Sequence, residues 1–243
     1  MTFDDVRRDW TALGEADPLW AVFVAPGTQG GRWDVDAFFA TGREEVDRSL
    51  SHLGTLGVVT GTERALDFGA GVGRLSQALA RHFSSVVAVD VSPTMLEQAQ
   101  RLDHSEGRVE FHLNDKPDLS DFDDASVDLV YSSLVLQHLP RDLAVGYLRE
   151  LVRVLRPGGA AVVQVVSGPT RSLKGWVARY APFPVVAWGQ KRLLGYPAPM
   201  RMTPMPPTMV RATLEGTGAR VLDAQPDDSY GGHWKCVRYF LAR

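Results

Sequence analysis

Cysteine is almost absent from this sequence, because its 243 residues contain only Cys236. A single cysteine excludes an internal disulfide and fits a reducing compartment. Long apolar runs are missing too, since no stretch approaches the ~20 apolar residues that cross a bilayer. The first residues carry Asp4, Asp5 and Asp9 instead of a basic and then apolar leader. We therefore expect a cytoplasmic protein without stable membrane insertion.

Positive charge is not in excess: 26 Lys and Arg stand against 29 Asp and Glu, for a net charge of −3. A protein whose main partner is nucleic acid usually presents a basic surface to the phosphates. The average charge therefore argues against nucleic acid as the main partner. A chain of this length is expected to bury one substantial core, as a single domain with additions.

Acidic residues are absent from one long stretch. No Asp or Glu lies between Leu151 and Leu214, although nine Lys and Arg do. Within it, residues 171–206 interleave cations with Trp176, Tyr180, Phe183, Trp188 and Tyr196. The run from Pro197 to Pro207 is rich in proline and methionine, which excludes a regular helix or strand there.

A carboxylate followed by three glycines is the most informative motif. Asp67 closes an apolar run, and Gly69, Gly71 and Gly73 follow it before a helical segment. Glycine has no Cβ, so the chain can turn sharply and let a ligand touch the backbone. A carboxylate facing this loop attracts an ammonium group and repels phosphate. A dinucleotide site fits less well, because its third glycine would stand where Arg74 stands.

A second carboxylate supports an adenosine ligand. The apolar run 86–89 ends in Asp90, 23 residues after Asp67, where ribose hydroxyls are usually bound. With later blocks at Asn114-Asp115, at 127–132 and at 155–159, the pattern resembles class I S-adenosylmethionine-dependent methyltransferases, of the type 11-like group. The resemblance covers about residues 60–166.

The resemblance implies S-adenosylmethionine as cofactor and S-adenosylhomocysteine as product. It implies that Asn114 and Asp115 lie at the adenine. It also implies cofactor contacts from the glycine loop and the strand ends, by Ala70, Arg74, Val91, Met95 and Ser132. Arg43, at the start of a predicted helix, is a candidate partner for the cofactor carboxylate.

Strands and helices alternate from residue 60 onward, which predicts an α/β fold with a parallel sheet. We expect a Rossmann-like sheet of seven strands, the last one antiparallel beside the fifth. The predicted strands are 64–68, 86–90, 108–112, 127–131, 160–166, 220–224 and 234–242, and the predicted helices are 73–83, 93–101, 141–155 and one from about 207 to 216. Within one domain of residues 1–243, we expect a helical cap over 1–62 with helices at 4–13, 34–40 and 43–56, a cofactor core over 63–170, an insertion at 171–206 and a closing part over 207–243.

Methyl transfer requires the acceptor to be held in line and shielded from water, and it needs no metal. A hydroxyl acceptor must also lose a proton, which a neutral histidine can take. His138 follows the fourth strand, at the edge where open α/β sheets bind ligands, and is the first candidate base. Packing of its own loop is the alternative role. His233, before the last strand, is the second candidate, and the histidine spacings give no metal set.

No Asn/Asp-Pro-Pro-Tyr or Phe tetrapeptide follows the fourth strand, where Tyr131-Ser132-Ser133-Leu134 stands instead. This favours a small-molecule acceptor, with a hydroxyl of a hydrophobic substrate ahead of nitrogen or carbon. Two other classes stay open: a protein that binds the cofactor without transferring methyl, and a nicotinamide dehydrogenase.

Three interpretations of the insertion at 171–206 stay open. It is a lid over an apolar acceptor pocket, in which methionine and aromatic side chains adapt to the substrate. It is a surface that pairs two subunits as a homodimer or rests on an anionic membrane. Or it is a solvated excursion. We expect the lid.

Overall fold

The computed structural model describes residues 1–172, 175, 180–227 and 234–243. A seven-stranded sheet forms its centre, with strands β1 (Arg64–Phe68), β2 (Ser85–Asp90), β3 (Val109–Leu113), β4 (Val127–Ser132), β5 (Leu155–Pro169), β6 (Arg220–Asp227) and β7 (Trp234–Ala242). Their spatial order is β3-β2-β1-β4-β5-β7-β6. Strands β1 to β5 are parallel, whereas β7 runs antiparallel between β5 and β6. The predicted Rossmann-like sheet with its antiparallel last strand is confirmed.

Helices cover both faces of the sheet: α1 (Phe3–Ala16), α2 (Pro18–Val22), α3 (Val35–Thr55), α4 (Arg74–Leu79), α5 (Pro93–Arg101), α6 (Arg141–Arg153), α7 (Phe183–Leu193) and α8 (Pro207–Glu215). A single 3₁₀ turn spans Leu136–His138. Helix α5 has its predicted bounds, because the Ser92 hydroxyl accepts the Met95 N–H at 3.2 Å and Pro93 occupies the first turn. Among the described residues, no helix is both long and apolar enough to cross a bilayer.

The largest departures from the predicted bounds are in α3, β5 and α4. Helix α3 is continuous where two helices were expected, and Gly42 serves close packing instead of a break, because a Cβ there would lie 2.3 Å from the Arg74 carbonyl oxygen. Strand β5 starts before the Pro-Gly-Gly turn, since the Gly158 N–H donates to Arg243 at 2.8 Å and the Arg243 N–H donates to Gly159 at 3.0 Å. Helix α4 ends at Leu79, four residues earlier than predicted.

Three apolar clusters hold these layers together. One lies under α6 and α8, and a second lies under α3 and α4, so the central strands are covered on both faces. This is why β4 reads as an uninterrupted buried strand. The third cluster joins the N-terminal helices to residues 198–200, with Trp20, Phe38, Ala198 and Met200 among its members. It places part of the 171–206 insertion against the N-terminal helices.

Candidate active site

A cavity opens at the carboxyl edge of the sheet, where open α/β folds bind ligands. The ends of β1, β2 and β3 contribute Phe68, Gly69, Asp90, Val91 and Asn114 to its lining. The chain after β4 adds Ser133, Leu134, Val135, His138 and Leu139. Helices α1, α2 and α6 close it with Phe3, Val6, Trp10, Val22 and Tyr147. Most of these side chains are apolar, and the polar ones lie mainly at the strand ends.

The glycine loop, residues 69–73, exposes backbone atoms to this cavity because it has no side chains at its glycines. Gly69, Gly71 and Gly73 have φ angles of 77°, 55° and 80°, in the left-handed region that glycine adopts without strain. A Cβ at Gly69 would lie 2.2 Å from Val135, and one at Gly71 would lie 2.4 Å from Val22. No side chain therefore fits at either position. The loop is pinned to β2, because the N–H groups of Gly69 and Ala70 both donate to the Val89 carbonyl, at 2.8 and 3.0 Å.

Asp90 both orders the loop and faces the cavity. Its Oδ2 accepts the Gly71 N–H at 2.7 Å, and its Oδ1 accepts the Ser92 N–H at 2.8 Å. Burial raises the pKa of this carboxyl, against the lowering effect of the two amide bonds. Each carboxylate oxygen has a second lone pair, so Asp90 can also accept hydrogen bonds from a pair of ligand hydroxyls. This arrangement fits a ribose.

Asp67 lies buried at the end of β1. Its Oδ2 accepts the Ser76 hydroxyl at 2.6 Å, and no described residue donates to its Oδ1. Burial raises the pKa of Asp67 to about 7, against the Ser76 hydrogen bond and the charge of Arg74. A nearby cation would favour the ionised form of such a carboxyl. Asp67 is not among the residues that line the cavity, so any effect on an ammonium group would act across the loop.

Asn114 lines the cavity in a fixed orientation. Its Nδ2 donates to the Tyr147 hydroxyl at 3.1 Å, and that hydroxyl donates to the Lys116 carbonyl at 2.8 Å. Val91 lines the same wall, next to Asp90. Asp115 is exposed and is absent from the lining. The structure therefore brings one residue of the predicted adenine pair to the cavity.

Six other predicted cofactor residues lie away from the cavity lining, and Ala70 and Gly73 of the glycine loop are two of them. Met95 is fully buried in the third cluster, and Ser132 is fully buried at the end of β4. Arg43 is exposed on α3, and Arg74 is buried against Glu45. Their contacts with the cofactor stay predictions.

A buried ion network lies beside the glycine loop. Glu45 accepts from Arg74 at 2.8 Å and from Arg238 at 2.9 Å, and Arg238 also donates to Asp227 at 2.8 Å and to the Tyr131 hydroxyl at 2.6 Å. Burial pushes the pKa of Glu45 up, but the two guanidinium charges outweigh it and bring the pKa to about 2. The ionised network ties α3 to α4, β4 and β7. Sequence reasoning missed it, because these partners lie 29 and 193 residues from Glu45.

His138 lines the cavity as a neutral imidazole in one tautomer. Its Nδ1 lies 2.7 Å from the Arg201 carbonyl oxygen. A carbonyl can only accept, so Nδ1 carries the proton and Nε2 is the basic nitrogen. Burial lowers the pKa of His138 to about 4, against the hydrogen bond to Arg201. Trp10 packs edge-on against the ring, with 4.9 Å between centroids.

Residues 195–206, called the strap below, hold the turn that carries His138. The Thr203 N–H donates to the Gln137 carbonyl at 2.6 Å, and the Met205 N–H donates to the Val166 carbonyl at 2.9 Å. Ala198, Met200 and Met205 are buried. The strap is irregular, as its prolines predicted. His233, the second candidate base, and Trp176 lie outside the described residues.

Known proteins resemble this chain in its cofactor core. Residues 66–163 match the family model described as a methyltransferase domain. A demethylmenaquinone methyltransferase of Clavibacter sepedonicus is 45% identical over 109 residues, which is 44% of this chain and 42% of that protein. A 2-methyl-6-phytyl-1,4-hydroquinone methyltransferase of Synechocystis sp. is 30% identical over 155 residues, 63% of this chain and 48% of that protein. The chain thus spans less than half the length of these curated relatives.

A solved S-adenosylmethionine-dependent methyltransferase from Methanosarcina mazei shares the fold, with a TM-score of 0.62, 20% identity, and coverage of 74% of this chain and 92% of that one. Fold and site together resemble those of the class I S-adenosylmethionine-dependent methyltransferases. The methyltransferase-domain family model covers residues 66–163, and the resemblance to it implies S-adenosylmethionine as the cofactor.

Proposed function

We propose that this protein transfers the methyl group of S-adenosylmethionine to a hydroxyl of a hydrophobic, quinol-like small molecule. The cofactor, when bound, supplies an electrophilic methyl group on its sulfonium. The chain must then bind both reactants, hold them in line and exclude water. Gly69, Gly71, Asp90 and Asn114 share one wall of the cavity and suit the adenosine end of the cofactor.

The fixed tautomer of His138 is the main observation in support of a hydroxyl as the methyl acceptor. The Arg201 carbonyl holds the proton on Nδ1, so Nε2 is the nitrogen that accepts a proton from a hydroxyl. The same carbonyl stabilises the imidazolium that forms. A base with a pKa of about 4 does not ionise a phenol in advance. The proton therefore leaves the oxygen only as the new carbon–oxygen bond forms.

The lining of the cavity supports an apolar aromatic acceptor. Beside His138 it is formed by Trp10, Leu134, Val135 and Leu139. The two relatives above are named for demethylmenaquinone and for a hydroquinone, which are ring compounds of this kind. The strap bonds to the turn that carries His138, which supports the lid interpretation for this part of the insertion.

Carbon methylation of the same ring is the second candidate. As the new bond forms and the proton leaves, a phenol develops negative charge on ring carbons as well as on oxygen. One base at His138 therefore serves both outcomes. The position of the transferred methyl group in the product distinguishes them.

The test is a turnover assay with S-adenosylmethionine and three probes: a prenylated naphthoquinol, a simple catechol and a primary amine of similar size. We expect S-adenosylhomocysteine and a methylated quinol, with the methyl group assigned to oxygen by NMR. A ring-methylated product would establish the second candidate. Cofactor binding without S-adenosylhomocysteine, with these probes and with a cell extract, would leave a binding protein and overturn the proposal. Methylation of the amine alone would overturn the hydroxyl assignment.

A further inference from the structure

Helix α7 presents an apolar and cationic face to solvent. Val185 and Trp188 are each 58% exposed, and Leu193 is 72% exposed. Val185, Trp188 and Arg192 recur at helical spacing and so share one side, and Lys191 is exposed next to them. None of the eleven residues of α7 is buried. Folded monomers seldom expose such a cluster without a use for it.

The opposite side of α7 is fixed to the strap. The Gln190 amide donates to the Met200 carbonyl at 3.0 Å and accepts the Met200 N–H at 3.1 Å. The Arg201 guanidinium lies 3.4 Å from the centre of the Phe183 ring. These contacts set the rotation of the helix, so Val185 and Trp188 point outward because the strap holds the other side.

The charge around this face has one sign. Residues 183–206 carry Lys191, Arg192 and Arg201 and no acid, whereas Arg153, Arg156 and Arg211 of the same acid-free stretch pair with carboxylates elsewhere. An anionic surface therefore attracts this part of the protein and repels the rest, which orients α7 toward it. A second copy of the chain would bring the same cations face to face across a two-fold axis, which is unfavourable.

We propose that the outer face of α7 binds the surface of a bilayer that contains anionic lipid. Trp188, Val185 and Leu193 enter the boundary between headgroups and acyl chains, and Lys191 and Arg192 pair with the lipid phosphates. The long stems of the two cations let their charged ends stay at the headgroups while the apolar side chains go deeper. This docking surface goes beyond the proposed reaction and does not depend on it.

The test is flotation of the full chain with vesicles of mixed phosphatidylcholine and phosphatidylglycerol at low salt, against vesicles of phosphatidylcholine alone. We expect co-flotation with the anionic vesicles and much less with the neutral ones. Replacing both Trp188 and Leu193 by alanine should weaken partitioning by about tenfold or more, because each loses its apolar burial. Lys191→Gln and Arg192→Gln should each weaken it about fivefold, and raised salt should act in the same direction.

Matched controls come from exposed residues on other faces. Arg48→Gln on α3 and Val59→Ser before β1 remove a cation and an apolar side chain that are also exposed, and both should float as the wild type does. Thermal melts and cofactor titration must match wild type for every variant. No flotation with anionic vesicles, equal flotation with neutral vesicles, or unchanged flotation of the α7 variants would overturn the proposal. So would a dimer in sedimentation velocity that the Trp188 and Leu193 substitutions dissociate.

Discussion

The strap and helix α7 are neighbours in one acid-free insertion, yet they occupy opposite environments. The strap buries Ala198, Met200 and Met205, whereas α7 buries none of its residues. Both are rich in apolar residues and both carry cations. Composition therefore predicts the same role for the two segments, and the structure gives them different ones.

Backbone hydrogen bonding explains the difference. Prolines at 197, 199, 204 and 206 prevent the strap from forming a helix, because proline lacks the N–H and fixes φ. The remaining backbone groups of the strap bond to other segments, as Arg201 does to His138 and Thr203 does to Gln137. Most backbone N–H and C=O groups of helix α7 form hydrogen bonds within the helix, so only its side chains can contact other groups.

The largest expected effect is at the residue that the strap orients. His138→Gln should lower turnover about 10² to 10⁴-fold, because it removes the base that takes the acceptor's proton. Cofactor affinity should not change, since Asp90 and the glycine loop are intact. Steady-state kinetics and calorimetric titration measure the two quantities. His104→Gln, at an exposed histidine, is the control. Turnover near the wild-type value would leave His138 a packing residue.

The contrast in burial predicts a contrast in stability. Met205 is a fully buried residue of the strap, so Met205→Ala should lower the free energy of unfolding by about 2 to 5 kcal/mol. Trp188→Ala on α7 should change it by about 0.5 kcal/mol or less, although tryptophan is the larger side chain. Urea unfolding of the two variants tests this. Similar losses would mean that α7 is held as firmly as the strap.

A substitution of Asp90 tests whether cofactor binding is independent of vesicle binding through α7. Asp90→Ala removes a charged acceptor of hydrogen bonds, which is worth about 1.5 to 3 kcal/mol, or roughly tenfold or more in cofactor affinity. NADH should bind much more weakly than S-adenosylmethionine or S-adenosylhomocysteine in calorimetric titration. Vesicle binding through α7 should be as in the wild type. Unchanged cofactor affinity would remove Asp90 from the ribose site.

The smallest expected effect is that of mild acid on the rate. His138 must be neutral to act, and its pKa of about 4 keeps it so. The rate should therefore change by less than about twofold between pH 8 and pH 5.5 and fall only as the pH approaches 4. A histidine released from the strap would lose activity already below about pH 6.5. The free energy of unfolding should also decrease as the pH falls from about 6.5 to 4, because over this range the unfolded chain binds a proton at His138 that the folded chain does not.

The cofactor wall was predictable because its signals are local. Gly69 and Asn114 directly follow β1 and β3, Asp90 ends β2, and His138 lies in the turn after β4. The carboxyl ends of parallel strands meet at one edge of the sheet. The sequence order alone therefore assembles them. Arg43 is predicted from its charge and Arg74 from the resemblance, and neither is among the described residues that line the cavity.

The rest of the site depends on contacts between distant segments. Trp10 and Tyr147 line the cavity from α1 and α6. The sequence pattern of these helices is typical of helices that only pack against a hydrophobic core. Glu45 reads as a surface residue on α3, because its partners Arg74 and Arg238 are far away in the chain. The tautomer of His138 depends on a backbone carbonyl, Arg201, which no sequence pattern marks.

The bond between Glu45 and Arg238 also sets an order of assembly. When α3 leaves the ribosome, its buried carboxylate has no partner until α4 provides Arg74, and its second partner follows 193 residues after it. Helix α3 therefore gains its contact with Arg238 only once β7 has been synthesised and has paired with β5. Helix α3 is synthesised early, but its second ion-pair partner is synthesised late. Chains interrupted before β7 should therefore expose α3 to proteases and chaperones.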